Sequence, residues 1–166
     1  MEQGMKELIL FATLTFAFLG CTSASGCDAL QRLVVKEEWS KAFTEKEDRI
    51  DTAIAVWSRF FKLAPDSLVH FANVNGSDVR SGQFIAHAMR VFQSFDIALS
   101  NLDQPEVLAA HLAHLQKQHK DRRIPIAKYI EKFGENALLF MSSVLDQCWA
   151  EKAWRDCFDG VAAAFA

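Results

Sequence analysis

The chain has 166 residues, 51% of them hydrophobic, with 14 phenylalanines and a formal net charge of −3. That length and apolar content suit one domain with a sizeable core. The near balance of acidic and basic residues argues against nucleic acid or an anionic membrane as a partner.

Residues 1–26 read as a secretory signal peptide. Lys6 precedes an apolar run from Leu8 to Leu19, and small residues from Gly20 to Gly26 follow. The run is too short for a comfortable membrane span, and no other segment is apolar enough to be one. Cleavage is expected near residues 24–26, after Ala24 or Gly26, leaving a single domain over 27–166. A bacterial lipoprotein signal ending at Cys21 is the alternative, although Phe18 stands where leucine is usual. Loss of residues 1–26 removes Glu2, Glu7 and Lys6, so the remaining chain has 17 basic and 19 acidic residues and a net charge of −2. It retains Cys27, Cys148 and Cys157, an odd number. In a secreted chain that implies a free thiol or a bond to another chain.

The rest is predicted to be helical throughout. Val35, Trp39 and Phe43 give the first helix, from about Asp28, its buried stripe. Thr44-Glu-Lys-Glu47 has the spacing of a capping box and predicts the start of a second helix. Ile50, Ile54, Trp57 and Phe61 mark its apolar side. Pro65 opens a short helical turn leading to Phe71, and Asn73 to Asp78 is a loop by composition. A long helix runs from about Val79 to Leu99 and stops near Asn101-Leu-Asp-Gln-Pro105. The next carries Leu108, Leu112 and Leu115 on one stripe. It ends before Pro125, which fits best in a first helical turn. Ile126, Ile130, Phe133, Ala137, Phe140 and Val144 then carry a helix to about Leu145. Trp154, Phe158 and Val161 face inward on a last one, from about Ala150 to Ala164. Helices of unequal length joined by short turns predict an orthogonally packed all-α fold rather than a four-helix bundle.

Two histidines interrupt this pattern. His119 lies four residues beyond Leu115, so an imidazole points where a leucine is expected. Taken alone, it reads as a core histidine bonded to a carbonyl. His87 changes the balance. Phe84, Val91, Phe95 and Leu102 share its helix's apolar face while Gln83, Arg90 and Ser94 fill the other, which puts His87 on the border. One deep and one rim histidine on separate helices, with phenylalanines between them, fit a flat apolar ligand with a metal at its centre, and haem is that ligand. His111 and His114 stand three apart on a helix, but lack a matching acidic or cysteine ligand and read as surface residues. Trp39, Trp57, Trp149 and Trp154 read as core or interface residues.

In their order, Pro65 and Phe71, His87 with Val91, then His119 before Ile124-Pro125-Ile126 and Tyr129 resemble a globin over the whole of 27–166. More narrowly, Val74-Asn-Gly76, His87-Ala-Met-Arg-Val91, Asp96-Ile97, Leu102-Asp-Gln-Pro105, His114-Leu115, Gln118-His119 with Arg122, and Ala153-Trp-Arg-Asp-Cys157 are similar to chains of the annelid-type extracellular giant haemoglobins, the erythrocruorins. The resemblance implies a globin fold of about six to eight helices around a haem pocket, with haem b (iron protoporphyrin IX) as cofactor. His119 would be the proximal iron ligand, and His87 the distal residue that hydrogen-bonds dioxygen. Phe71 would stack on the porphyrin and Val91 would crowd the distal side. Leu115, Ile124 and Phe133 would line the pocket, Phe133 being almost as readily an ordinary core residue.

The same resemblance implies an intrachain disulfide between Cys27 and Cys157. Cys148 is then left to bond another globin chain, the alternative being an inert buried thiol. Dioxygen, other globin chains and linker subunits of a giant complex would be the partners. Ala88 and Ala98 occupy the two positions where sulfide-carrying relatives have a free cysteine, so that activity is not expected. The function implied is reversible oxygen transport by a secreted, extracellular, non-enzymatic subunit. A globin-fold haem enzyme, either a nitric oxide dioxygenase or a peroxidase, is the alternative. A haem-free helical signalling protein would leave both histidines without purpose. Asn75-Gly-Ser77 is an acceptor triplet for N-linked sugar, and reads equally as a tight turn.

Overall fold

A computed structural model of the chain describes residues 26–44, 48–145 and 149–165. The expected signal segment, apart from Gly26, and the turn holding Cys148 lie outside them. The described residues form α1 (Ala29–Trp39), a π-helical turn (Ser40–Thr44), α2 (Arg49–Leu63), a 3-10 helix (Pro65–Val74), α3 (Gly82–Ser100), α4 (Pro105–Asp121), α5 (Ile126–Val144) and α6 (Glu151–Ala162), closed by a 3-10 turn (Ala163–Phe165). No strand occurs among them, and no helix there is long and apolar enough to cross a membrane.

Local chemistry sets the helix ends. Asp28 caps α1 by accepting from the Gln31 amide at 2.8 Å, while its own amide donates to Gln31 Oε1 at 2.8 Å. Such a cap contributes about 1 kcal/mol. Ser81 caps α3 by accepting from the Phe84 amide at 3.2 Å. Pro105 occupies the first turn of α4, where its missing N–H costs nothing.

The core is built mainly from aromatic rings. Phe43 stacks on Trp39 at 5.0 Å and on Phe92 at 4.7 Å, joining the N-terminal helix to α3. α2 packs against α3 and α5, α1 against α6 and α3, and α5 against α6. Buried polar groups tie these layers. Asn136 Nδ2 donates to the Val56 carbonyl at 2.9 Å, linking α5 to α2. Trp39 Nε1 donates to Asp96 at 2.9 Å, and Trp154 Nε1 to Glu38 at 2.6 Å. Cys27 and Cys157 form a disulfide that fastens the start of the fold to α6.

Some expectations need correction. Ile50 is 49% exposed, and the buried side of α2 instead comprises Ala53, Ile54, Val56, Trp57 and Phe60, with Phe61 only half-buried. Burial against two helices has rotated and widened the stripe. α2 is capped at Asp48, later than Thr44, which belongs to the preceding π turn; residues 45–47 lie outside the described residues. α3 starts at Gly82 rather than near Val79, because Asp78 to Ser81 are taken up by turn and cap bonds. Phe158 is half-buried, its ring filling the space that Gly134 leaves on α5.

Candidate functional site

The last turn of α4 is locked by its own backbone. The Arg123 amide donates to the Lys120 carbonyl and the Ile124 amide to the His119 carbonyl, each at 2.9 Å. Arg123 takes the left-handed conformation, φ 56°, that this helix stop requires. The bonds hold His119 inward and half-buried, with its ring 6.2 Å from that of Phe165. Nδ1 of His119 lies 2.8 Å from the Leu115 carbonyl oxygen. A carbonyl can only accept, so Nδ1 carries the hydrogen and Nε2 of the neutral ring keeps its lone pair. That is the tautomer of a metal ligand oriented by a backbone acceptor.

A similar stop ends the 3-10 helix. Asn75 is left-handed, φ 56°, and the Gly76 amide donates to the Phe71 carbonyl at 2.9 Å. A Cβ on Gly76 would stand 2.5 Å from Phe71 Cβ, so glycine is what allows Phe71 its place. The Phe71 ring packs at 5.5 Å from His87, with Trp57 at 5.7 Å and Phe84 at 5.9 Å from the same imidazole.

Nε2 of His87 is buried and has no hydrogen-bond partner. Burial, reinforced by the positive charges of Arg90 and Arg122, lowers the His87 pKa to about 4. The ring is therefore neutral near pH 7.

Val91 and Leu115 are half-buried and pack against the core, and Ile124 is half-buried beside the α4 stop. Phe133 is buried, 5.3 Å from Trp57 and stacked at 5.6 Å on Phe95, so it joins the site to the core. Trp57 is one of the tryptophans that the sequence marks as core or interface residues. It is buried as expected, yet it also packs directly on His87. Nothing in its spacing marks that contact.

His111 hydrogen-bonds the Ser94 carbonyl at 3.0 Å and His114 the Gln118 side chain at 2.6 Å. Among the described residues no three His, Cys, Asp or Glu side chains gather as a metal site. A small apolar void of about 30 Å3 touches Phe95 and Phe133, and an outer cleft of about 340 Å3 lies between Leu102, Leu108, Leu112 and Ala164. Neither is lined by His87 or His119. Donor chemistry rather than void volume marks the site: one histidine with a free lone pair, one neutral histidine with an unused buried nitrogen, and aromatic walls. This set fits an iron porphyrin.

Residues 54–165 match the globin family. The chain is 39% identical over 135 residues to extracellular globin-2 of Lumbricus terrestris, covering 81% of this chain and 92% of the relative. It is 36% identical over 138 residues to an extracellular monomeric globin of Tubifex tubifex, covering 83% and 97%. Extracellular globin-1 of Lumbricus terrestris is 33% identical over 135 residues, covering 81% and 94%.

Proposed function

The chain belongs to the globin family, and from that premise we propose that it binds haem b and carries dioxygen reversibly outside the cell. The observation that carries this reading is a pair of histidines on separate helices: His119 with Nδ1 committed to Leu115, and His87 with a buried, unpartnered Nε2. Haem, when bound, supplies a ferrous iron able to take up and release dioxygen. The protein supplies the rest. His119 Nε2 would hold the iron, and the α4 stop would fix its direction. His87, kept neutral by burial, would donate one hydrogen bond without releasing a proton into the pocket. Phe71 would stack on the flat ring, Val91 would limit the space beside His87, and Leu115, Ile124 and Phe133 would keep water out. A dry, apolar enclosure strengthens each polar contact made inside it.

We place the chain among carriers rather than haem enzymes, because the groups packed on His87 are the aromatic rings Trp57, Phe71 and Phe84. Absorption spectroscopy tests the reading. The expected result is a Soret band and many cycles of oxygen uptake and release without loss of signal. No Soret band on haem addition would overturn it. Rapid consumption of peroxide or nitric oxide would favour the enzyme.

Residues 1–26 would direct secretion and be removed. Cys148, in the turn before α6, would bond a neighbouring globin chain, with linker subunits completing a larger complex. Since one relative is named monomeric, the mass of the native particle, with and without reductant, decides the assembly. Asn75 would carry an N-linked sugar, tested by intact mass before and after glycosidase treatment. Asn75 stands in a left-handed turn and is partly exposed, with Ser77 exposed and Gly76 buried.

A further inference from the structure

The imidazole of His119 is held at one point, where Nδ1 donates to the Leu115 carbonyl of its own helix at 2.8 Å. One bond does not fix a ring, because the outer torsion of histidine has a broad well rather than three narrow ones. A second restraint comes from a distant part of the chain. Phe165, buried in the 3-10 turn that follows α6, has its ring 6.2 Å from that of His119 at an interplanar angle of 81°. Edge-to-face geometry of this kind is favoured between aromatic rings. Ala163 continues the right-handed helical conformation of α6 into the turn, its amide donating to the Asp159 and Val161 carbonyls, so α6 sets where Phe165 stands. In turn α6 is tied to the start of the fold at three places: the Cys27–Cys157 disulfide, Gln31 Nε2 donating to Asp156, and Trp154 Nε1 donating to Glu38 at 2.6 Å. Ala164, next to Phe165, borders the outer cleft of about 340 Å3, which leaves the turn without packing on that side.

We propose that Phe165 is a positioning residue for His119: its ring confines the outer torsion of the imidazole, and α6, anchored through Cys27–Cys157, is the arm that holds it in place. The inference rests on the haem-binding reading above. A ring confined to one orientation keeps the Nε2 lone pair aimed in one direction. A ring free to turn spreads that lone pair over many directions, most of which bond a metal less well. Phe165 thus acts through His119 alone and tunes how firmly iron is held without adding a group beside His87. The disulfide acquires a consequence besides stability, because it reaches the iron ligand through α6.

The test reads the iron–histidine stretching band of the ferrous, ligand-free, haem-loaded chain by resonance Raman spectroscopy, a signature that a merely structural role leaves unmoved. Phe165→Ala should lower and broaden that band. It should also speed transfer of haem to an acceptor apoprotein by about twofold to tenfold, the factor that loss of one aromatic pair corresponds to. Cys27→Ser should move the band the same way, and the two substitutions together should move it by less than their sum, because both act along one path. A further measurement needs no variant to fold: in the unsubstituted carbon monoxide form, labelled at histidine and phenylalanine, the rings of His119 and Phe165 should show a nuclear Overhauser contact. An unmoved band in Phe165→Ala, or rings without that contact, would overturn the role of Phe165. An unmoved band in Cys27→Ser would overturn that of the arm. Those outcomes leave the haem-binding reading intact. Absence of a Soret band in the unsubstituted chain would instead remove both.

Discussion

Burial of the His87 ring contributes to how the haem-free protein responds to acid. Its pKa is about 4 in the fold, against 6.5 for an unhindered histidine. Between those values the unfolded chain binds more protons than the folded one, so stability falls as pH drops from 6.5 toward 4. Above pH 6.5 this contribution is fully present. His87→Leu should flatten that part of the stability profile, as measured by urea unfolding of the apoprotein at several pH values; an unaltered slope would show that the ring is not buried as described. In the haem-loaded protein the same variant should speed oxygen loss, since a hydrogen bond to a charged group contributes about 1.5 to 3 kcal/mol. His119→Ala should lose stable haem binding, seen as a missing Soret band after gel filtration. Both histidines were legible in the sequence because a polar ring on an apolar helical stripe breaks a pattern. Trp57 breaks none, and its packing on the His87 ring is a property of three-dimensional surroundings that periodicity does not record.

At the scale of elements, the stop after α4 matters most, since it fixes His119. Arg123 pays a left-handed penalty there that glycine avoids. Arg123→Gly should therefore raise thermal stability by about 1 kcal/mol, read from a chemical melt, with the haem spectrum unchanged. A destabilised variant would mean that the Arg123 side chain makes a contact worth more than the strain. Gly134 tests packing in the opposite direction. A Cβ on it would fall 2.1 Å from the Phe158 ring, so Gly134→Ala should cost about 1 to 3 kcal/mol by prising α5 from α6. Helix identity and order were legible from apolar spacing and prolines. Helix starts were less so: α2 begins after Asp48, which makes no side-chain capping bond, and α3 begins after the side-chain cap at Ser81, each later than Thr44 and Val79 suggest.

For the whole molecule, the fold class follows from order and spacing spread along the chain, and the helices bring Phe71 within 5.5 Å of His87. Assembly is not legible in the same way, because an interface depends on the partner's surface and Cys148 lies outside the described residues. Cys148→Ser should release a monomer on a non-reducing gel without unfolding it; a covalent oligomer that persists would place the intermolecular bond elsewhere. Cys27→Ser should lower the melting temperature, since closing a loop of 130 residues stabilises by up to about 5 kcal/mol in the chain-entropy model. The bond between Cys27 and Cys157 makes nearly all of the described chain a closed ring, and the exposed turns at Ser77 and Asp103 lie inside it. A protease that cuts once at either turn therefore opens the ring without dividing the molecule. The two fragments stay covalently joined, His119 and His87 with them, until a reductant parts them.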